Sequence, residues 1–111
     1  MEPETSEPTA LTVDVARGAD DEAIVTISGE LDLGAAATLV GAIDEICDGS
    51  PASVTLDLSG VSFLDSSGLG ALLTLHARCQ SEGIAFSATS PPSHVCRVLE
   101  LTHLTELFNF R

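Results

Sequence analysis

Apolar and polar positions alternate at the start of the chain. Leu11, Val13 and Val15 fall on one side and Thr12 and Asp14 on the other, the period-two pattern of a strand. Arg17 to Glu22 breaks it with Gly18 and paired aspartates, a turn. Ala23 to Ser28 is a second, β-branched run, so residues 11–28 predict an antiparallel hairpin. Gly29-Glu30-Leu31-Asp32 interrupts, and the period then changes. Ala36, Leu39, Val40, Ile43 and Ile46 recur at three- and four-residue steps, which predicts a helix over 33–48 with Asp32 as its N-cap and Gly49 and Pro51 as its stop. Ser53 to Leu58 returns to alternation, with Val54, Leu56 and Leu58 opposite Thr55 and Asp57.

The next stretch, Phe63-Leu64-Asp65-Ser66-Ser67-Gly68-Leu69-Gly70, joins that apolar strand to a second helix over 69–81, closed by Gly83. Leu69, Leu72, Leu73 and His76 share one side of this helix, and Leu75 and Cys79 widen it. Ile84, Phe86 and Ala88 predict another strand. Ser90 reads as a cap with Pro91 and Pro92 in the first turn of a third helix, which runs to about Leu101 with Val95, Val98 and Leu99 inward. Leu104 to Phe110 reads as a short last strand or an extended tail on the sheet. Strands alternating with helices imply parallel neighbours covered by helices, and the opening hairpin makes the sheet mixed. The expectation is an α/β fold, one domain over residues 10–111, with four or five strands and the helices mainly on one face. Leu56, Leu58, Leu72, Leu73, Val98 and Leu99 should be buried. Residues 1–9, with Glu2, Glu4, Glu7, Pro3 and Pro8, read as a disordered acidic tail.

Composition narrows the function. The 111 residues suffice for one domain. Seventeen acidic residues against four basic ones leave a net charge of −13, which argues against nucleic acid and against an anionic membrane surface. There is no Trp or Tyr to stack on bases. A partner should carry a basic or neutral patch. Neither a signal peptide nor a membrane-length apolar run is evident, and Cys47, Cys79 and Cys96 form no CxxC pair, so the chain reads as cytoplasmic with reduced thiols.

Candidate chemistry concentrates at Asp65-Ser66-Ser67-Gly68. A helix beginning at Ser66 or Ser67 aims unpaired N–H groups and the positive end of its dipole at the preceding loop, a place that tolerates an anion. The turn is then either a plain cap, with Asp or Ser at the N-cap, or a phosphoacceptor. Glu30 and Asp32 read either as a solvated turn with a helix cap or as part of a partner surface. Asp57 reads as a strand-end carboxylate satisfied by backbone N–H groups. His76 and Cys79, at i and i+3, make half a metal site with only His94, Cys96 and His103 left to complete it, so no metal and no cofactor is expected.

The run from Leu56 to Gly70, LDLSGVSFLDSSGLG, together with Gly29-Glu30-Leu31-Asp32, resembles the signature of STAS domains, in particular the bacterial anti-sigma factor antagonists. The resemblance covers about residues 10–110. It implies a non-enzymatic protein that binds an anti-sigma factor which is also a serine kinase. The kinase would phosphorylate the first serine of DSSG, here Ser66; the phosphorylated form would let go, and a PP2C-type phosphatase would restore it, so sigma-factor-dependent transcription follows the phosphate. The resemblance also implies a partner surface of Glu30, Asp32, Asp65, Ser66, Ser67 and Gly68. Other classes fit less well. A STAS subunit of a lipid or anion transporter, or a stress-sensing scaffold, shares the signature. A serine hydrolase lacks the G-x-S-x-G elbow, and a nucleotide-binding module lacks a Walker pattern and any Lys.

Overall fold

Four strands form one mixed sheet in the order β1-β2-β3-β4, and three helices alternate with them along the chain. The computed structural model describes residues 11–89 and 91–108. The strands are β1 (Thr12–Arg17), β2 (Glu22–Leu31), β3 (Ser53–Leu64) and β4 (Ala85–Thr89); the helices are α1 (Leu33–Cys47), α2 (Ser66–Ser81) and α3 (Ser93–Leu101). β1 and β2 are the antiparallel hairpin, turning through a short 3-10 segment at Ala19–Asp21, while β2, β3 and β4 run parallel. The acidic tail read over residues 1–9 lies outside the described residues.

Register decides which face is apolar. Ala23 pairs with Val54 and Val25 with Leu56, and Leu56 in turn pairs with Ala88. These five share one face and have no solvent exposure. Leu39, Ile43 and Ile46 of α1, Leu72 and Leu75 of α2, and Val95 and Leu99 of α3 join the same apolar cluster. Each such side chain contributes roughly 1.5–3 kcal/mol by leaving water. An ion pair also links the first two helices: Arg78 of α2 donates to Asp44 of α1 at 2.8 Å and to Glu82, the residue that follows its own helix. Exposed pairs of this kind contribute about 1 kcal/mol or less, so apolar packing holds the helices together. At the far end of α1, Arg17 of β1 donates to the carbonyl oxygens of Glu45, Ile46 and Asp48, where the end of a helix runs short of backbone donors.

Several boundaries differ from the sequence pattern, each for a local reason. β2 does not stop at Ser28. It runs through Gly29 and Glu30 to Leu31, because Gly29 takes a φ of +107° and the ladder shifts register there instead of ending. β3 likewise passes Leu58 and reaches Leu64. Each of two register shifts against β2 leaves one extra residue on β3, so its buried positions fall three apart at Leu58, Val61 and Leu64. Leu73 and Val98 are half-buried rather than buried, and Val40 is exposed. α3 begins at Ser93 with Pro92 at the N-cap position and no side-chain cap, so the prolines precede the helix rather than open it; Ser90 lies outside the described residues. In place of a last strand, Thr105–Phe108 forms a 3-10 turn that seats Phe108 edge-on to Phe86, with ring centroids 5.8 Å apart. Residues 109 and 110 of that segment lie outside the described residues.

Two of the three cysteines belong to the α1–α2 contact. Cys47 and Cys79 are buried, thiol hydrogen-bonded to thiol, and burial pushes both up in pKa, Cys79 to about 12. The thiolate is the reactive species, so neither thiol reacts readily in the folded protein. Cys96 on α3 is only half-buried. A thiol-specific disulfide reagent at neutral pH should therefore modify one of the three cysteines promptly and the other two only after unfolding. Prompt modification of all three would show that α1 and α2 open in the native state.

Candidate functional site

β2 and β3 end in the same construction. Leu31 pairs with Leu64, and each is followed by an aspartate in extended backbone that turns the chain into a helix. Asp32 Oδ1 accepts a hydrogen bond from the Ala35 amide at 3.0 Å, and Asp65 Oδ1 accepts one from the Gly68 amide at 2.9 Å. The Asp65 carboxylate takes the Gly68 N–H of the first turn, the Asp32 carboxylate shares the Ala35 N–H with its own backbone carbonyl oxygen at 3.1 Å, and both sit well against the positive end of a helix dipole. The result is two helix starts side by side at the carboxyl edge of the parallel strands, the edge where α/β sheets place their sites. Of the two cap assignments open in the sequence, the structure selects Asp65. Ser66 and Ser67 are the first and second residues of α2.

Gly68 explains how closely the two starts approach. A Cβ built on it would lie 2.0 Å from the carbonyl oxygen of Leu31. The first turn of α2 therefore rests directly on the end of β2, and the Asp65 amide donates to that same Leu31 oxygen at 3.4 Å. Gly68 is buried, so its place in the site is to bring the two edges together.

The other residues of the expected surface are gathered here. Ser66 is exposed, Ser67 half-buried, and Glu30, Asp32 and Asp65 half-buried. A shallow depression of about 480 Å³ lies between the helix starts, lined by Glu30, Asp32, Leu33, Gly34, Phe63 and Asp65. Leu33 and Phe63 lie outside the expected partner surface, yet they are 74% and 46% exposed. A signal existed for Leu33: it lies off the helical row of Leu39, Ile43 and Ile46 and directly follows a cap, where the first turn faces water. Asp57 stands apart from the site and accepts from the Ser59 amide at 3.0 Å, the backbone role expected of it. His76 packs edge-on against Phe86, with centroids 5.3 Å apart, and Cys79 is buried. Among the described residues no three His, Cys, Asp or Glu side chains converge as metal ligands.

A family model for the STAS domain matches residues 13–111. The chain belongs to the STAS domain family. Anti-sigma-F factor antagonist RsfB of Mycobacterium tuberculosis is 34% identical to it over 103 residues, spanning 93% of this chain and 83% of that one. The crystal structure of an anti-sigma factor antagonist from Mycobacterium paratuberculosis superposes with a TM-score of 0.81 at 31% identity, covering 96% of this chain and 89% of the other. The anti-sigma factor antagonist SpoIIAA shares the fold in its unphosphorylated form, with a TM-score of 0.75 at 19% identity over 90% of this chain and 88% of that one. Its phosphorylated form, from Bacillus, gives 0.69 at 18% over 90% and 91%. The STAS fold thus accounts for the four-stranded mixed sheet and its three helices. Among the described residues no helix is long and apolar enough to cross a membrane.

Proposed function

We propose that this STAS domain is an anti-sigma factor antagonist of the cytoplasm that works by partner switching. Unphosphorylated, it holds an anti-sigma factor that is also a serine kinase and so frees the sigma factor. Phosphorylation of Ser66 by that kinase ends the complex, and a PP2C-type phosphatase resets it. Glu30, Asp32, Asp65, Ser66 and Ser67 form the contact surface, and Gly68 sets its shape. The observation that carries this reading is the placement of Ser66. Ser66 is exposed at the first position of a helix whose cap is already supplied by Asp65, so it is accessible to a kinase and the cap does not depend on it. The likeness to RsfB supports the regulator over a transporter subunit.

The domain itself is not an enzyme in this reading. The depression beside Ser66 is lined by carboxylates and apolar groups with no histidine among its described residues, and the Asp65 carboxylate is engaged with the Gly68 amide, so no serine–histidine pair of the hydrolase kind is assembled there. The test is to incubate the purified chain with ATP and each ATP-binding anti-sigma factor of the source genome, then to locate phosphate by mass spectrometry. One kinase should place one phosphate on Ser66. No phosphate from any of them, or ester or ATP turnover by the chain alone that disappears in Ser66→Ala, would refute the proposal.

A further inference from the structure

We infer that the partner complex is anchored by an apolar strip of Leu33, Phe63 and Val40, framed by carboxylates, and that it fits a protein surface presenting apolar side chains among arginines or lysines; this rests on the antagonist reading above and adds residues that the DSSG and GELD motifs do not contain. Among the described residues five large hydrophobic side chains are exposed, and three of them are these: Leu33 at 74%, Phe63 at 46% and Val40 at 45%. Leu33 and Phe63 line the same depression. Leu33 and Val40 are seven residues apart on α1, which brings them to nearly the same side of the helix about 10 Å apart along its axis. Exposed Ala37 lies between them at four- and three-residue spacing, so the strip is continuous. It starts at the Ser66 edge of the sheet and ends at Asp44, one turn beyond Val40, where the Arg78 ion pair begins. Scattered apolar residues on a surface are ordinary, but a contiguous group beside a polar site marks a contact.

Charge selects the occupant. Glu30, Asp32 and Asp65 border the apolar pair, and no arginine lines the depression among the described residues. The chain carries −13 overall and has no lysine. A second copy would bring carboxylates against carboxylates, and an anionic bilayer would be repelled in the same way. A basic protein surface with apolar plugs satisfies both halves of the strip. Apolar anchors at the centre with charges at the rim is the usual division between affinity and steering.

The experiment is titration calorimetry of the cognate anti-sigma factor, the one that phosphorylates the chain, into wild type and into the Leu33→Ser, Phe63→Ser, Val40→Ser and Leu101→Ser variants. Leu33→Ser and Phe63→Ser should each weaken binding about tenfold or more, and Val40→Ser by less, since a few buried anchors carry most of an interface. Leu101, equally exposed at the end of α3, is the control and should leave affinity unchanged. Thermal unfolding of all four variants should match wild type, because none of these side chains belongs to the core. Wild type that binds while Leu33→Ser and Phe63→Ser bind equally well would overturn the inference and leave the antagonist reading standing. Sedimentation showing a dimer of this chain that Leu33→Ser dissolves would also overturn it, by assigning the strip to a second copy. Failure of every anti-sigma factor to bind wild type would refute the antagonist reading, and the strip's assignment with it.

Discussion

Phosphorylation of Ser66 should weaken the complex with the anti-sigma factor by at least about a hundredfold and leave the melting temperature of the free domain almost unchanged. The phosphate brings about −1.5 to −2 charge at neutral pH. In the free protein it stands in water at an exposed position, so it is solvated, and the nearby helix dipole favours it by roughly 0.3–1 kcal/mol. It does not take over the cap bond, because Asp65 already accepts from the Gly68 amide. In the complex the same group must lose its water next to Asp65, at an edge that also carries Asp32 and Glu30. Desolvating and crowding like charges in an interface costs several kcal/mol, and about 2.7 kcal/mol is a hundredfold. Ser66→Ala should bind constitutively and change stability by no more than about 0.5 kcal/mol, since it touches neither cap nor core. Ser66→Asp adds about one charge rather than two and should weaken binding by less than phosphate does. Ser67→Ala should still be phosphorylated. Calorimetry of these forms against the partner is the measurement. Equal affinity for phosphorylated and unphosphorylated protein would end the switch, and phosphate found only on Ser67 would end the assignment to Ser66.

The parts of this molecule that repeat with a period were legible in the sequence, and the parts shaped by contacts between distant residues were not. Three- and four-residue spacing predicts the helices over 33–48 and 69–81, and their stops follow from Gly49 and Gly83, which take φ of +75° and +71°; the first turn of α2, from Ser66, lies ahead of that spacing. The hairpin, the parallel strands and the cap at Asp32 follow equally from local pattern. The extensions of β2 and β3 do not. Their ladder is kept by bulges, and a bulge breaks the alternation that marks a strand in a sequence, so the strand pattern is lost at Gly29 and beyond Leu58. Val40 fits the apolar spacing of α1, whereas its row on the helix continues the exposed Leu33. The choice between Asp65 and a serine as cap is also closed to local reasoning, since both residue types cap helices well. The motif placed Ser66, Glu30 and Asp32 in one neighbourhood through family resemblance; the Leu31–Leu64 pairing is the physical reason that they meet.

Gly68→Ala should lower stability by about 3 kcal/mol or more, whereas Gly70→Ala, two residues along the same helix, should raise it by up to about 1 kcal/mol. The two substitutions add the same methyl group to the same helix, so propensity favours both alike. Their surroundings differ. At Gly70 an added Cβ meets nothing within 4 Å. At Gly68 it would lie 2.0 Å from the Leu31 oxygen and 2.8 Å from the Leu31 carbonyl carbon, both backbone atoms at the end of a paired strand. No rotamer relieves a backbone clash, so the start of α2 must move about 1 Å away from β2 to reach an ordinary contact. That movement strains the Asp65 cap and opens the seam where Leu31, Leu64 and Leu69 are buried. Overpacking a core costs typically about 1–3 kcal/mol, and an immovable neighbour puts this site at the upper end. For a domain of this size each kcal/mol shifts the melting temperature by roughly 4–8 °C, so Gly68→Ala should melt more than about 10 °C below wild type. The shift also displaces Ser66 relative to Asp32 and Leu33, so Gly68→Ala should bind the partner poorly even at temperatures where it is folded. Thermal unfolding by circular dichroism compares the pair directly. A Gly68→Ala variant that melts within a few degrees of wild type would mean that the two helix starts are not held together by this contact, and that the surface around Ser66 is looser than the backbone implies.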